Sequence, residues 1–231
     1  MEAELTHIGK SVYVRMAVLL YFIAGAVEVY LEMQRNTAAI YLIKPLLMPL
    51  LLTVYVLSVK SRDISYIAAL VFSWIANIFF ISPDYASIFT GAMFFFVFRV
   101  LTIYIVFKRS GPPRLFPLLV SCIPFFFVYA YLAWHIHHRI GDGFWIFIGQ
   151  CVLITFLGGL SLGNYIMVSN RANLMLLGST LLFAVTQFIF AGKVFYIQEG
   201  YFHALAMALY VPGQYLFLKY LLLSAKAKSR S

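Results

Sequence analysis

Charge is the scarcest feature of this 231-residue sequence: 11% of its residues are Asp, Glu, Lys or Arg, against 63% hydrophobic. Soluble domains carry about 25% charged and about 45–50% apolar residues, so an ordinary water-soluble globule is excluded. Disorder is excluded too, because it needs low hydrophobicity and high charge. Cysteine is almost absent. Cys122 and Cys151 are the two present, and their depths along their helices differ by roughly 10 Å at 1.5 Å per residue. That is beyond disulfide reach, so both read as buried thiols. No low-complexity tract occurs, and the longest connector between apolar runs is Lys193 to Gly200, which leaves no room for a soluble domain. Neither Ser161 nor Cys151 has a nucleophile motif or an adjacent base, so a covalent hydrolase is poorly supported.

What is present is apolar length. A mean hydropathy of +0.92 indicates an integral membrane protein, in which each span takes about 20 residues to cross about 30 Å of hydrocarbon. Eight stretches qualify, at 12–31, 38–59, 64–82, 86–107, 115–136, 144–168, 172–192 and 201–224. The predicted fold is all-α: a polytopic bundle of eight transmembrane helices forming a single domain over 1–231, with a basic tail at 225–231. Pro45 and Pro49 fall in the second span, Pro117 and Pro124 in the fifth and Pro212 in the eighth. Neighbouring helices can satisfy the carbonyls that prolines free. Gly158-Gly159 and Gly163 suggest close helix packing in span six, and they lack the strand and helix context of a phosphate loop.

Basic residues set the expected orientation. Of the 17, Arg35, Arg139 and Lys193 fall in odd-numbered loops, Lys44 and Arg99 lie inside spans, and the other 12 flank the even loops and the termini. This bias predicts both termini in the cytoplasm, and a compact chain of this kind suggests a bacterial inner membrane. The net charge of +9 then needs no nucleic acid; the tail Lys226-Ala227-Lys228-Ser229-Arg230 suits anionic lipid headgroups. No cleavable signal is expected, since Glu2, Glu4, His7 and Lys10 precede a first span long enough to stay in the bilayer.

Ionisable groups inside a membrane are costly and face a bundle interior or a cavity. Here they are Glu28, Lys44 and Arg99, joined by the amides Asn77, Gln150, Asn164, Gln187 and Gln214. Glu28, Lys44, Asn77, Gln150 and Gln187 fall near the odd-loop ends of spans one, two, three, six and seven, which together could line a polar cavity; Arg99 and Gln214 lie deeper. Glu28 and Lys44 sit at similar depth on consecutive spans, so a neutralising ion pair is a simpler account than a catalytic Glu28. The amides suit interhelical hydrogen bonding. Arg99 has no acid in its own span and requires either a structural partner or an anionic ligand such as phosphate. His135, His137 and His138 sit at the membrane edge with only Asp142 nearby, which favours a hydrated cluster over a zinc site. No metal or cofactor is expected. A retinal protein would need a mid-membrane lysine, whereas Lys193 and Lys219 lie near helix ends.

Several in-membrane segments resemble the YhhN family of membrane proteins, which includes lysoplasmalogenase. Lys44-Pro45-Leu46 is similar to the Lys-Pro-Leu of its second span, and Phe72-Ser73 through Asn77 to a third-span stretch ending in Gly-Asp. Phe89, Gly91, Phe95 and Arg99 follow the fourth-span spacing, with Arg99 where the family usually has His. Phe183 through Thr186-Gln187 resembles Phe-x-x-Ser-Asp of the seventh span, and Tyr210 through Gln214 resembles Tyr-x-x-Ala-Gln of the eighth. The resemblance implies hydrolysis of the vinyl ether of a lysophospholipid, giving a fatty aldehyde and a glycerophospho headgroup. An acid must protonate the alkene and a base must direct water. The two aspartates the family would use are Asn77 and Gln187 here, and amides cannot exchange a proton at neutral pH. Residues and resemblance together single out Glu28, Asn77 and Gln187 for the chemistry, and Lys44, Arg99, Tyr210 and Gln214 for binding a lipid or lysophospholipid. Two alternatives stay open: a non-catalytic lipid- or amphiphile-binding membrane protein, and a small transporter.

Overall fold

The computed structural model describes the backbone of residues 2–195 and 201–228, and the side chains of 12–138, 141, 143–192 and 201–225. The side chains of Lys10, Arg139, Asp142, Lys193, Lys226 and Lys228 lie outside the described residues, as do residues 229–231 and the loop 196–200. The described residues form eight α-helices: α1 (Glu2–Met33), α2 (Thr37–Ser58), α3 (Ile64–Phe79), α4 (Tyr85–Ser110), α5 (Leu115–Ile140), α6 (Phe144–Met167), α7 (Arg171–Phe195) and α8 (Tyr201–Lys228). Seven of them are long and apolar enough to cross a membrane, which makes this an integral membrane protein.

The exception is α3. Its 16 residues extend about 24 Å, less than the hydrocarbon thickness of about 30 Å. The sequence pattern predicts a span to residue 82, but the helix ends at Phe79 because Pro83 disfavours helical backbone at Ser82. Asp84 then caps α4 by accepting from the Ser87 N–H at 2.8 Å. Hydrogen bonds from Ser82 and Ser87 hold the Asp84 carboxyl down at about 2.

Solvent preference is inverted relative to a soluble protein. Leu42, Phe116 and Trp145 are more than 70% exposed, while Glu28, Lys44 and Arg99 are at most 1% exposed. The apolar outer faces meet lipid, and the charges turn inward.

Helix neighbours form a ring in the order α1, α2, α3, α4, α6, α7, α8 and back to α1. Sequence order is broken once: α4 packs on α6, and α5 lies outside the ring, chiefly against α6. The α5–α6 seam is glycine-built. A Cβ at Gly158 would lie 2.6 Å from the Phe125 ring, and one at Gly159 would collide with the Cys122 thiol. Close helix packing at these glycines, expected from the sequence, is what the structure shows.

The prolines differ in what they do. Pro49 lacks the N–H that would bond the Pro45 carbonyl, and the Trp74 indole of α3 donates to that carbonyl instead, at 2.8 Å. This pins the irregular turn of α2 against α3. Pro117 falls in the first turn of α5, where a missing N–H costs nothing, so of the two prolines expected in span five only Pro124 interrupts the helix.

The end of the bundle carrying the even-numbered turns is tied shut. Asp63, at the start of α3, pairs with Lys108 Nζ at 3.2 Å and Arg109 Nη2 at 3.1 Å from the end of α4. Partial burial raises the Asp63 carboxyl, but Lys108, the Ser65 N–H and Arg109 outweigh it and leave the group below its ordinary value. Ser110 and Tyr220 hydroxyls meet at 3.1 Å at the same end, joining α4 to α8.

Candidate functional site

The odd-turn end is open. A cavity of about 180 Å³ enters the ring there, between α2, α3, α4, α6, α7 and α8. Its upper wall is aromatic and aliphatic, with Phe80, Phe89, Phe147 and Phe190 among its residues. Phe80 reaches the wall because Gly91 makes room for it; a Cβ there would lie 2.7 Å from the Phe80 ring. Lys44, His203, Asn77, Gln150, Gln187, Tyr210 and Arg99 supply polar groups to the cavity lining. Sequence reasoning assigned the walls to spans one, two, three, six and seven. The ring replaces span one with spans four and eight, because α1 backs onto α2 and α8 and none of its described residues lines the cavity.

Two polar clusters flank this space. The first is ionic. Lys44 Nζ lies 3.3 Å from Glu28 Oε1 and 2.9 Å from Glu32 Oε1. It also lies 2.9 Å from His203 Nε2, and that nitrogen is 3.1 Å from Glu32 Oε1. The pair expected between Glu28 and Lys44 is therefore real but belongs to a tetrad. Lys44 hydrogen-bonds Glu32 and His203 and meets Glu28 as an ion pair, which leaves both Glu28 oxygens without a hydrogen bond among the described residues. Two carboxylates against one ammonium leave one negative charge, which a proton on His203 would balance. Because Lys44 can only donate and a carboxylate can only accept, His203 Nε2 bonds Lys44 when bare and Glu32 when protonated. Lys44 and His203 line the cavity; Glu28 and Glu32 stand behind them.

The second cluster is neutral and centred on the Tyr210 hydroxyl. That oxygen accepts from Asn77 Nδ2 at 2.8 Å and Gln214 Nε2 at 2.7 Å, and it also bonds the Ser73 hydroxyl. Gln214 Nε2 reaches Ser73 Oγ at 3.1 Å, and Asn77 Nδ2 also donates to the Ser73 carbonyl at 2.7 Å. Gln214 thus holds Tyr210 from behind and does not line the cavity.

Arg99 belongs to neither cluster. It lies over the Phe95 ring, 5.1 Å from the centroid. None of its three guanidinium nitrogens has a hydrogen-bond partner among the described residues.

Of the seven residues singled out from sequence, five line one cavity: Lys44, Asn77, Arg99, Gln187 and Tyr210. Glu28 and Gln214 support from the layer behind. Sequence reasoning missed His203 and Glu32. A signal existed for Glu32, which follows Glu28 by four residues and so shares its helical face. His203, third residue of α8, lies close to a helix end, where the sequence gives no sign of burial. His135, His137 and His138 stay on exposed or intermediate positions of α5 except where Ile136 turns inward, and no group of three metal-ligating side chains occurs among the described residues.

No curated protein and no solved structure is significantly similar to the chain. The sequence model of the YhhN family matches residues 39–221, a stretch that contains every residue lining the cavity. With the match covering most of the chain, this protein belongs to the YhhN family.

Proposed function

We propose that the cavity binds a single-chain ether phospholipid and that the protein is a lysoplasmalogenase-type membrane hydrolase. One observation carries this reading: a proton-exchanging imidazole, His203, opens onto an apolar cavity inside the family-matched segment. Lysoplasmalogenase activity is associated with the YhhN family. Vinyl-ether hydrolysis begins when an acid delivers a proton to the alkene carbon remote from oxygen. The resulting oxocarbenium ion takes water at the carbon bearing oxygen, the water loses a proton to a base, and the hemiacetal collapses to fatty aldehyde and a free glycerol hydroxyl.

Asn77 and Gln187 cannot give or take those protons, but they can hold water by hydrogen bonds. Glu28 is not among the residues that line the cavity, so the proton falls to His203, whose charged form Glu32 supports from 3.1 Å. After the first transfer the neutral imidazole can accept the proton from water. The orientation argued from the basic residues would place the cavity mouth on the non-cytoplasmic side, with both termini cytoplasmic, in a bacterial inner membrane.

A second reading has its own support. Among the described residues no carboxylate lines the cavity, which suits a relative that binds such lipids without cleaving them. Aldehyde release from a lysoplasmenyl lipid by purified protein in a neutral detergent separates the two. Hydrolysis predicts turnover that falls about 10²–10⁴-fold in His203→Gln, the range for a general acid. A folded protein that retains lipid but releases no aldehyde would leave the binding role.

A further inference from the structure

Three residues of the cavity lining, Arg99, Gln150 and Gln187, carry buried polar atoms without a hydrogen-bond partner among the described residues, and the first two are buried as whole residues. Arg99 is 1% exposed, and its Nε, Nη1 and Nη2 have no acceptor among the described residues. Gln150 is 7% exposed; its Nε2 donates to the Ala92 carbonyl at 2.9 Å, which fixes the amide and leaves Oε1 without a donor. Both residues line the cavity. A guanidinium stays charged at any physiological pH, so Arg99 cannot escape its burial by losing a proton. The Phe95 face offsets part of the cost but supplies no hydrogen bond.

Lys44, the other buried cation on the cavity wall, is in the opposite condition. It already hydrogen-bonds Glu32 and His203 and forms an ion pair with Glu28. An incoming anion would have to displace two carboxylates to reach it. Arg99 offers its whole fork, and among the described residues no acid lines the cavity to compete.

We propose that Arg99 and Gln150 form a headgroup subsite: the guanidinium takes the phosphate or carboxylate of an amphiphile, and Gln150 Oε1 accepts from a hydroxyl on the same ligand. This rests on the cavity being the ligand site, not on hydrolysis. The ligand class is an anionic, hydroxylated single-chain amphiphile, with its charge at Arg99. Arg suits this role better than Lys because its planar fork matches the two oxygens of a carboxylate or phosphate.

The test uses the full chain in a neutral detergent and three probes sharing one oleoyl chain: lysophosphatidic acid, oleate and monooleoylglycerol. Binding is read by isothermal titration. Lysophosphatidic acid binding at least tenfold tighter than monooleoylglycerol supports the subsite, and so does loss of that preference in Arg99→Met. If oleate shares the preference, any anion suffices; if it does not, the site reads phosphate. Gln150→Leu should weaken lysophosphatidic acid, which carries a glycerol hydroxyl, several-fold more than oleate, which carries none. Equal wild-type affinity for the charged and uncharged probes would overturn the proposal, even if Arg99→Met could not be purified. So would a preference that survives Arg99→Met. Failure of the hydrolase reading looks different: tight, Arg99-dependent lysophosphatidic acid binding with no aldehyde released from a lysoplasmenyl lipid.

Discussion

Two buried cations stand on the wall of one cavity, and their surroundings are opposites. Lys44 is enclosed by two carboxylates and an imidazole; Arg99 has an aromatic face and, among the described residues, no acceptor. A buried charge with a full set of partners is part of the structure, and removing it strands the partners. A buried charge with none raises the energy of the free protein and reserves its hydrogen bonds for something that arrives later. The two should respond to the same substitution with opposite signs.

The largest effect is therefore expected from Lys44→Met. It leaves Glu28 and Glu32 buried without a counter-charge, a situation that costs about 3–5 kcal/mol. Unfolding in detergent, followed by tryptophan fluorescence, should show that loss. Adding Glu28→Gln and Glu32→Gln to the same chain should recover most of it; a triple variant as unstable as Lys44→Met would refute the tetrad. Arg99→Met sharpens the contrast from the other side. It removes unmade hydrogen bonds and a desolvated charge, so ligand-free stability should rise, by about 1–3 kcal/mol. A fall of similar size would mean that Arg99 has a structural partner.

Smaller effects probe the frame around the two cations. Gly158→Leu forces a side chain into the Phe125 ring, and overpacking of this kind costs about 1–3 kcal/mol. Because α5 lies outside the ring, this variant should lose stability while retaining much of its ligand affinity. Tyr210→Phe deletes the acceptor shared by Asn77 and Gln214. Interhelical polar bonds average about 0.6 kcal/mol and reach about 1.7, so thermal unfolding should shift by that order. The least effect is expected at Asp84. Its carboxyl is held at about 2, so the helix-capping contribution is complete above its unfolded value near 3.8 and is lost as pH falls through 2. Asp84→Asn should flatten that acid limb without altering stability at neutral pH.

Helix positions were legible in the sequence because each apolar run is bounded by charge or by a turn residue. Asn36, Asp63, Asp84 and Asn170 accept from N–H groups at the starts of α2, α3, α4 and α7. The cavity residues were legible for a related reason: in a chain this apolar, Lys44, Asn77, Arg99, Gln187 and Tyr210 needed an interior. The order of the ring was not. Helices that are apolar all round give no sign of which face meets which neighbour, so neither the outlying α5 nor the pairing of α4 with α6 could be read. His203 and Glu32 escaped because they lie close to helix ends, where charge is ordinarily hydrated. Their burial arises only when α8 closes against α1 and α2.

That closure has a consequence for biogenesis. α8 leaves the ribosome after the other seven helices, and it alone supplies His203, Tyr210 and Gln214. Until it inserts, the ring has a gap between α7 and α1, and Glu32 and Lys44 on one side and Ser73 and Asn77 on the other lack their closing partners. The nascent protein thus waits in the bilayer with polar groups turned toward lipid. A quality-control protease that senses intramembrane polarity would find its signal there, and the arrival of one helix would erase it.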